Sequence, residues 1–157
     1  MIKRILYILI AVVIVAQFIR PGRTAEPVDP AGDLIAVTQP SAEVEQMLRT
    51  ACYDCHSGQP RYPWYVNITP VNWWLQDHIN EGREHFNASA WGTVAADKRA
   101  HWAEEAIEMI QAGEMPLDSY TWTHGDARLT DTQRQQLVAF FQPYNTGEGE
   151  KEEGEKE

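Results

Sequence analysis

Cys52-Tyr53-Asp54-Cys55-His56 holds the only two cysteines of the chain, with a histidine directly after the second. This C-x-x-C-H spacing is that of a c-type haem attachment site. A haem carries two vinyl groups, and covalent attachment needs two thiols presented together. On one helical turn, residues three apart share a face and a residue four from the first sits just above them. Cys52 and Cys55 are therefore read as the thioether-forming thiols, and His56 as the residue that places an imidazole nitrogen on the iron. Two other chemistries use similar residues. Thiol–disulfide exchange expects its C-x-x-C beside a βαβ pattern, which this chain does not show. A structural zinc site takes four protein ligands, and no second C-x-x-C is present.

Working outward, Ser41 reads as the N-cap of a helix with Glu43 and Glu45 in its first turn. Val44, Met47, Leu48 and Ala51 give it one apolar face that leads straight into the motif, so Met47 is a core residue rather than a ligand. After the motif, residues 57–65 form a loop rich in proline and aromatics. Thr69 is expected to cap a second helix with Pro70 at its first position. Its buried stripe is predicted as Val71, Trp74, Leu75, His78, Ile79 and Phe86, with Gly82 loosening the helix near its end. A third helix spans residues 95–112 with Trp102, Ala103, Ala106, Ile107 and Ile110 inward, and Gly113 terminates it. Residues 117–128 have no helical period and read as an ordered loop. Thr130 and Gln133 form a capping box for a last helix, with Leu137, Val138 and Phe141 inward and Pro143 as its stop.

The ends of the chain differ in character. Lys3 and Arg4 precede an apolar run from Ile5 to Ile19, the shape of an export signal. With no clear cleavage site after it, residues 1–20 are expected to stay as a signal anchor, spanning the bacterial cytoplasmic membrane once. The motif then sets the orientation, with the haem domain in the periplasm. Residues 21–40, rich in proline and glycine, are expected to be a linker, residues 41–145 the haem domain, and residues 146–157 a disordered acidic tail. The formal charge of the chain is −10. Residues 41–145 hold seven Lys/Arg against fourteen Asp/Glu, a net −7. Such a body repels phosphate backbones and makes nucleic acid an unsuitable partner. It suits a redox protein with a basic docking face, with Glu104, Glu105 and Glu108 as the candidate acidic patch.

A low-spin haem of this type takes a sixth ligand from Met or His. Met1 lies in the apolar leader, and Met47 and Met109 fall within helices. Met115 stands just past a helix end and before Pro116, far enough from His56 to return over the opposite face. His124, in the following loop, is the rival. His78 lies on an apolar stripe, and His85 and His101 occupy polar surroundings.

From Ser41 to Tyr144 the chain resembles the bacterial haem-binding-domain family of monohaem c-type cytochromes. The resemblance rests on Cys52-Tyr53-Asp54-Cys55-His56-Ser57, Tyr62-Pro63-Trp64-Tyr65 and Ile68-Thr69-Pro70-Val71-Asn72-Trp73-Trp74. It continues in Asn80-Glu81-Gly82-Arg83, Gly113-Glu114-Met115-Pro116 and Ala127-Arg128-Leu129-Thr130. Leu117 departs from it, standing where a second proline is common. The resemblance implies an all-α, cytochrome c-like helical domain around one covalent haem c, with His56 and Met115 as axial ligands. With the leader and linker in front, the expectation is a membrane-tethered periplasmic electron carrier with no catalytic residues. The alternative is a haem-based sensor or a small peroxidase-like protein with a displaceable sixth ligand.

Overall fold

The sequence periodicities become eight α-helices in a computed structural model that describes residues 1–20, 22 and 28–145. They are α1 (Ile2–Ala16), α2 (Leu34–Thr38), α3 (Ala42–Ala51), α4 (Tyr53–His56), α5 (Val71–His85), α6 (Ala96–Ala112), α7 (Asp118–Thr121) and α8 (Asp131–Asn145). Short 3₁₀ segments lie at Pro30–Gly32, Trp64–Asn67, Ala88–Ala90 and Gly125–Ala127, and no strand occurs among the described residues. The expected all-α class holds. The expected acidic tail, residues 146–157, lies outside the described residues.

The capping chemistry largely follows the sequence. Ser41 Oγ accepts from Val44 N at 3.3 Å. Gln133 N donates to Thr130 Oγ1 at 3.3 Å while Thr130 N donates to Gln133 Oε1 at 2.9 Å, the reciprocal capping box. Gly113 closes α6 at φ +75°, a left-handed conformation open to glycine without strain. Helices α6 and α8 form the most extensive pairing, and α3 packs on α8. Between them lies the core, which includes Leu48, Trp102, Ile107, Ile110, Leu137 and Phe141. Phe86 sits at its centre, with ring centroids 6.0 Å from Trp91, 6.0 Å from Trp102 and 5.8 Å from Phe141, each edge-on. Such edge-to-face pairs add to area burial.

Four expectations are corrected. The first concerns the leader. Helix α1 covers only 15 residues, about 22 Å at 1.5 Å per residue, against the roughly 30 Å of a bilayer's hydrocarbon core. Among the described residues no helix is long and apolar enough to cross a membrane. The single-pass anchor over residues 1–20 is overturned, and with it the placement at the cytoplasmic membrane with a periplasmic haem domain. The local reason is that the helix ends where Gln17 turns onto the body. Its amide nitrogen donates to Thr69 O at 3.1 Å, its amide oxygen accepts from Thr69 N at 3.0 Å, and Trp73 Nε1 donates to Ile19 O at 2.9 Å.

The second correction is in residues 21–40. Residues 21 and 23–27 lie outside the description, but Asp29 and Asp33 cap the Pro30–Gly32 turn and α2 through Ala31 N and Ile35 N, each at 3.0 Å. Leu34 is fully buried in the core, so this half of the expected linker is part of the domain.

The third lies in α5. It begins at Val71, because Thr69 spends its hydroxyl on Asn72 Nδ2 rather than on a backbone cap. Its buried residues are Asn72, Gln76, Ile79 and Arg83, while Trp74 is 45% exposed. The inward face is polar because it meets hydroxyls and carbonyls. Tyr62 OH donates to Gln76 Oε1 at 3.0 Å, and Arg83 Nε donates to Ser57 O at 2.8 Å. The fourth is Pro143, which lies within the last turn of α8 rather than ending it; a proline there removes a single helical bond.

Candidate functional site

The motif is built at the junction of two helices. Cys52 leaves α3 with φ −120° and ψ −47°, its backbone N–H still bonded to Leu48 O, and the next four residues make the single turn α4. His56 N and Cys55 N both donate back to Cys52 O, at 2.9 and 3.2 Å. The C-x-x-C-H spacing therefore curls into one helical turn. Both cysteines are free thiols and half-buried. Desolvation, then the neighbouring Cys55, pushes the Cys52 thiol up to about 12; desolvation, then Asp54, pushes Cys55 up to about 11. These are the opposite of the low-pKa thiolates that attack disulfides.

His56 is the best-oriented side chain of the site. Its Nδ1 lies 2.8 Å from Gly82 O and 3.0 Å from Phe86 O. A carbonyl can only accept, so Nδ1 carries the proton and Nε2 keeps its lone pair, with no hydrogen-bond partner among the described residues. Metal-ligating histidines fix their tautomer in this way. Burial holds the His56 pKa below its ordinary value, against the pull of the two carbonyls. The ring also packs on Phe86, with centroids 5.4 Å apart, which joins the site to the aromatic core.

Gly82 makes this approach possible. A Cβ there would stand 3.3 Å from His56 Cε1 and 3.5 Å from Nδ1. The glycine admits the ring rather than loosening α5. A glycine inside a helical pattern was the available signal, since it costs about 1 kcal/mol relative to alanine unless close packing needs it.

The two intervening residues of the motif anchor it to the rest of the chain, which the spacing alone does not reveal. Tyr53 OH donates to Asp33 Oδ1 at 2.7 Å, tying α4 to the cap of α2. Asp54 accepts from Arg61 Nε at 2.9 Å and Nη2 at 3.2 Å, and from Tyr120 OH at 2.8 Å. Burial, then the bond to Asp54, raises the Tyr120 pKa, so the phenol stays a donor.

A cleft opens beside Cys55. Its walls include Tyr62, Tyr65, Leu75, Ile79, Tyr120 and His124. The cleft is small, about 10 Å³, includes the Asp54–Arg61 ion pair among its walls, and is lined by neither Cys52 nor His56. Met115 does not line it. The residue lies half-buried just past α6, with its N–H on Met109 O at 3.2 Å and its carbonyl accepting from Arg134 Nη1 at 2.9 Å. The structure thus brings Cys52, Cys55 and His56 together and places His124, not Met115, at the cleft. Met47 is core, 5% exposed. His78 bonds Trp74 O through Nδ1, and His85 and His101 flank Glu105 at the surface.

Residues 11–143 match the protein family described as Haem-binding domain. The match begins within α1, some thirty residues before α3. The chain has no match among curated proteins or solved structures.

Proposed function

The chain belongs to the haem-binding-domain family, and on that premise we propose that it holds a single haem c and carries one electron at a time. Cys52 and Cys55 would form the thioethers, with His56 and Met115 as axial ligands. The observation that carries this reading is the His56 imidazole, whose Nδ1–H is spent on Gly82 O and Phe86 O while Nε2 is left for iron. Two free thiols stand three residues apart at one turn, and Cys55 borders a small cleft. Two thiols and one imidazole at this spacing are the donor set of a haem c. Bound there, it would supply a ferrous–ferric couple.

The protein's own part is to orient and to exclude. His56 is held by two backbone carbonyls rather than by a mobile side chain. Support for Met115 comes from the Gly-Glu-Met-Pro pattern and from its backbone, pinned at both polar atoms. A neutral thioether opposite imidazole favours the ferrous state and a raised potential. One C-x-x-C-H in the sequence supports one haem per chain. The exposed carboxylates Glu104 and Glu108, beside Glu105 on α6, support a redox partner with a basic docking face.

The test is expression of the chain alongside haem-attachment machinery, followed by denaturation and acid–organic extraction. The expected result is a polypeptide heavier by one haem, lost in Cys52→Ala/Cys55→Ala. A bare polypeptide mass overturns the reading. Oxidation and reduction by small one-electron reagents should be complete and reversible, with no turnover of peroxide.

A further inference from the structure

Asp54 is the one carboxylate inside the C-x-x-C-H motif, and it directly precedes Cys55. Its side chain is only 11% exposed, and it lines the same small cleft as Cys55. Asp54 Oδ1 accepts from Arg61 N at 3.3 Å and from Arg61 Nε at 2.9 Å. Oδ2 accepts from Arg61 Nη2 at 3.2 Å and from Tyr120 OH at 2.8 Å. All four partners are donors, so the group they hold is the ionised carboxylate, which can only accept.

The counter-charge does not cancel it evenly. The Arg61 side chain is 69% exposed, so water and salt screen the guanidinium, whereas an enclosed charge is screened much less. The negative end of the pair therefore faces inward and the positive end faces solvent. Cys55 registers that asymmetry: burial first, then the Asp54 charge, raises its thiol pKa, and the buried Arg83 opposes this less strongly. Arg83 itself donates through Nε to Ser57 O at 2.8 Å. Of the two charges that act on Cys55, the carboxylate prevails.

We propose that Asp54 sets the reduction potential of the haem, its fixed negative charge inside the attachment motif favouring ferric iron and drawing the potential down. This rests on the haem c reading above, in which the Cys55 sulfur carries one thioether. Ferric iron bears one more positive charge than ferrous iron, and a neighbouring anion stabilises the more positive form. The attraction grows as the local dielectric constant falls, which is why an enclosed carboxylate outweighs the exposed acids of α6. The axial ligands then fix the potential coarsely, and a residue between the two cysteines trims it.

The experiment is an equilibrium redox titration of holoprotein, comparing wild type with Asp54→Asn, Asp54→Glu and Tyr120→Phe at low and high salt. Visible spectra in both oxidation states check that the axial ligands are unchanged. In Asp54→Asn the ferrous-to-ferric ratio at a fixed ambient potential should rise at least about threefold, roughly 30 mV for one electron. The rise should persist at high salt, and Asp54→Glu, which keeps the charge, should stay near wild type. Tyr120→Phe loosens the same contact without removing charge and should not raise the potential. An Asp54→Asn potential that is unmoved or lower overturns the proposal, as does an equal rise in Tyr120→Phe. Should Asp54→Asn fail to fold, Arg61→Gln alters an exposed side chain and strips the carboxylate of its counter-charge. Its potential should fall, and a rise or no change overturns the proposal. Haem retained by the wild type through acid–organic extraction, with unmoved potentials, removes only the role of Asp54. Extractable haem in the wild type removes the haem c reading itself.

Discussion

The two halves of the domain are held by different forces. The half around α3, α6 and α8 is sealed by apolar residues, with Leu48, Ala103, Leu137 and Phe141 no more than 1% exposed. The half around α4, α5 and the 117–124 segment is fixed by hydrogen bonds that end on carbonyls and carboxylates: His56 on Gly82 and Phe86, Arg83 on Ser57, Tyr53 on Asp33, Tyr120 on Asp54. Apolar burial is non-directional and roughly proportional to area. A hydrogen bond weakens steeply when misaligned. The first half gives the domain its stability; the second gives one imidazole a direction.

The sharpest way to break this division is Phe141→Ala. Removing a buried phenylalanine ring from a packed core costs about 3–5 kcal/mol, read as a lower denaturation midpoint. The haem spectrum of the folded fraction should nevertheless stay that of the wild type. A spectrum that changes along with stability would show that the halves are not separable.

Gly82→Ala probes the other half. The new methyl meets the His56 ring at 3.3 Å, and overpacking of this kind costs about 1–3 kcal/mol. Alanine in a helix returns roughly 0.5–1 kcal/mol, so the net loss is small while the displacement of the ring is not. Altered axial ligation with near-normal hydrogen-exchange protection of α6 and α8 is the expected pairing. Unchanged ligation would show that the ring has room to give.

Tyr120→Phe removes the hydroxyl that joins the 117–124 segment to the motif. The expected loss is about 1–2 kcal/mol, because the Asp54 carboxylate loses a hydrogen bond and keeps Arg61. The local effect should be faster amide exchange at residues 118–124 and no change across α6 and α8.

The smallest effect on stability belongs to Glu104→Gln/Glu105→Gln/Glu108→Gln, within about 0.5 kcal/mol as for most surface changes. Its effect should appear in kinetics instead. Electron exchange with a basic partner protein should depend less steeply on ionic strength than in the wild type. An unaltered salt dependence would move the docking face away from α6.

How legible each half was follows from the same division. Helices with one apolar stripe declared themselves: α3 through Val44, Met47 and Leu48, and α6 through Trp102, Ile107 and Ile110, with caps at Ser41, Thr130 and Gly113. The α5 face did not, since a helix turned toward hydroxyls and carbonyls buries Asn72, Gln76 and Arg83, and hydrophobic periodicity cannot report a polar interior. The C-x-x-C-H motif was plain because thiols and imidazole at that spacing have few other uses. Its Asp33 and Tyr120 anchors come from distant positions and leave no local pattern. The short α1 misled because composition marks an apolar run and not where its helix ends.

That end is where the two halves acquire a third attachment. Gln17 grips the backbone of Thr69 at one end of α5, while the carbonyls of Gly82 and Phe86 grip His56 at the other. Helix α5 is a strut about 22 Å long. Residues 2–16 and the His56 ring are thus fastened to opposite ends of the same helix.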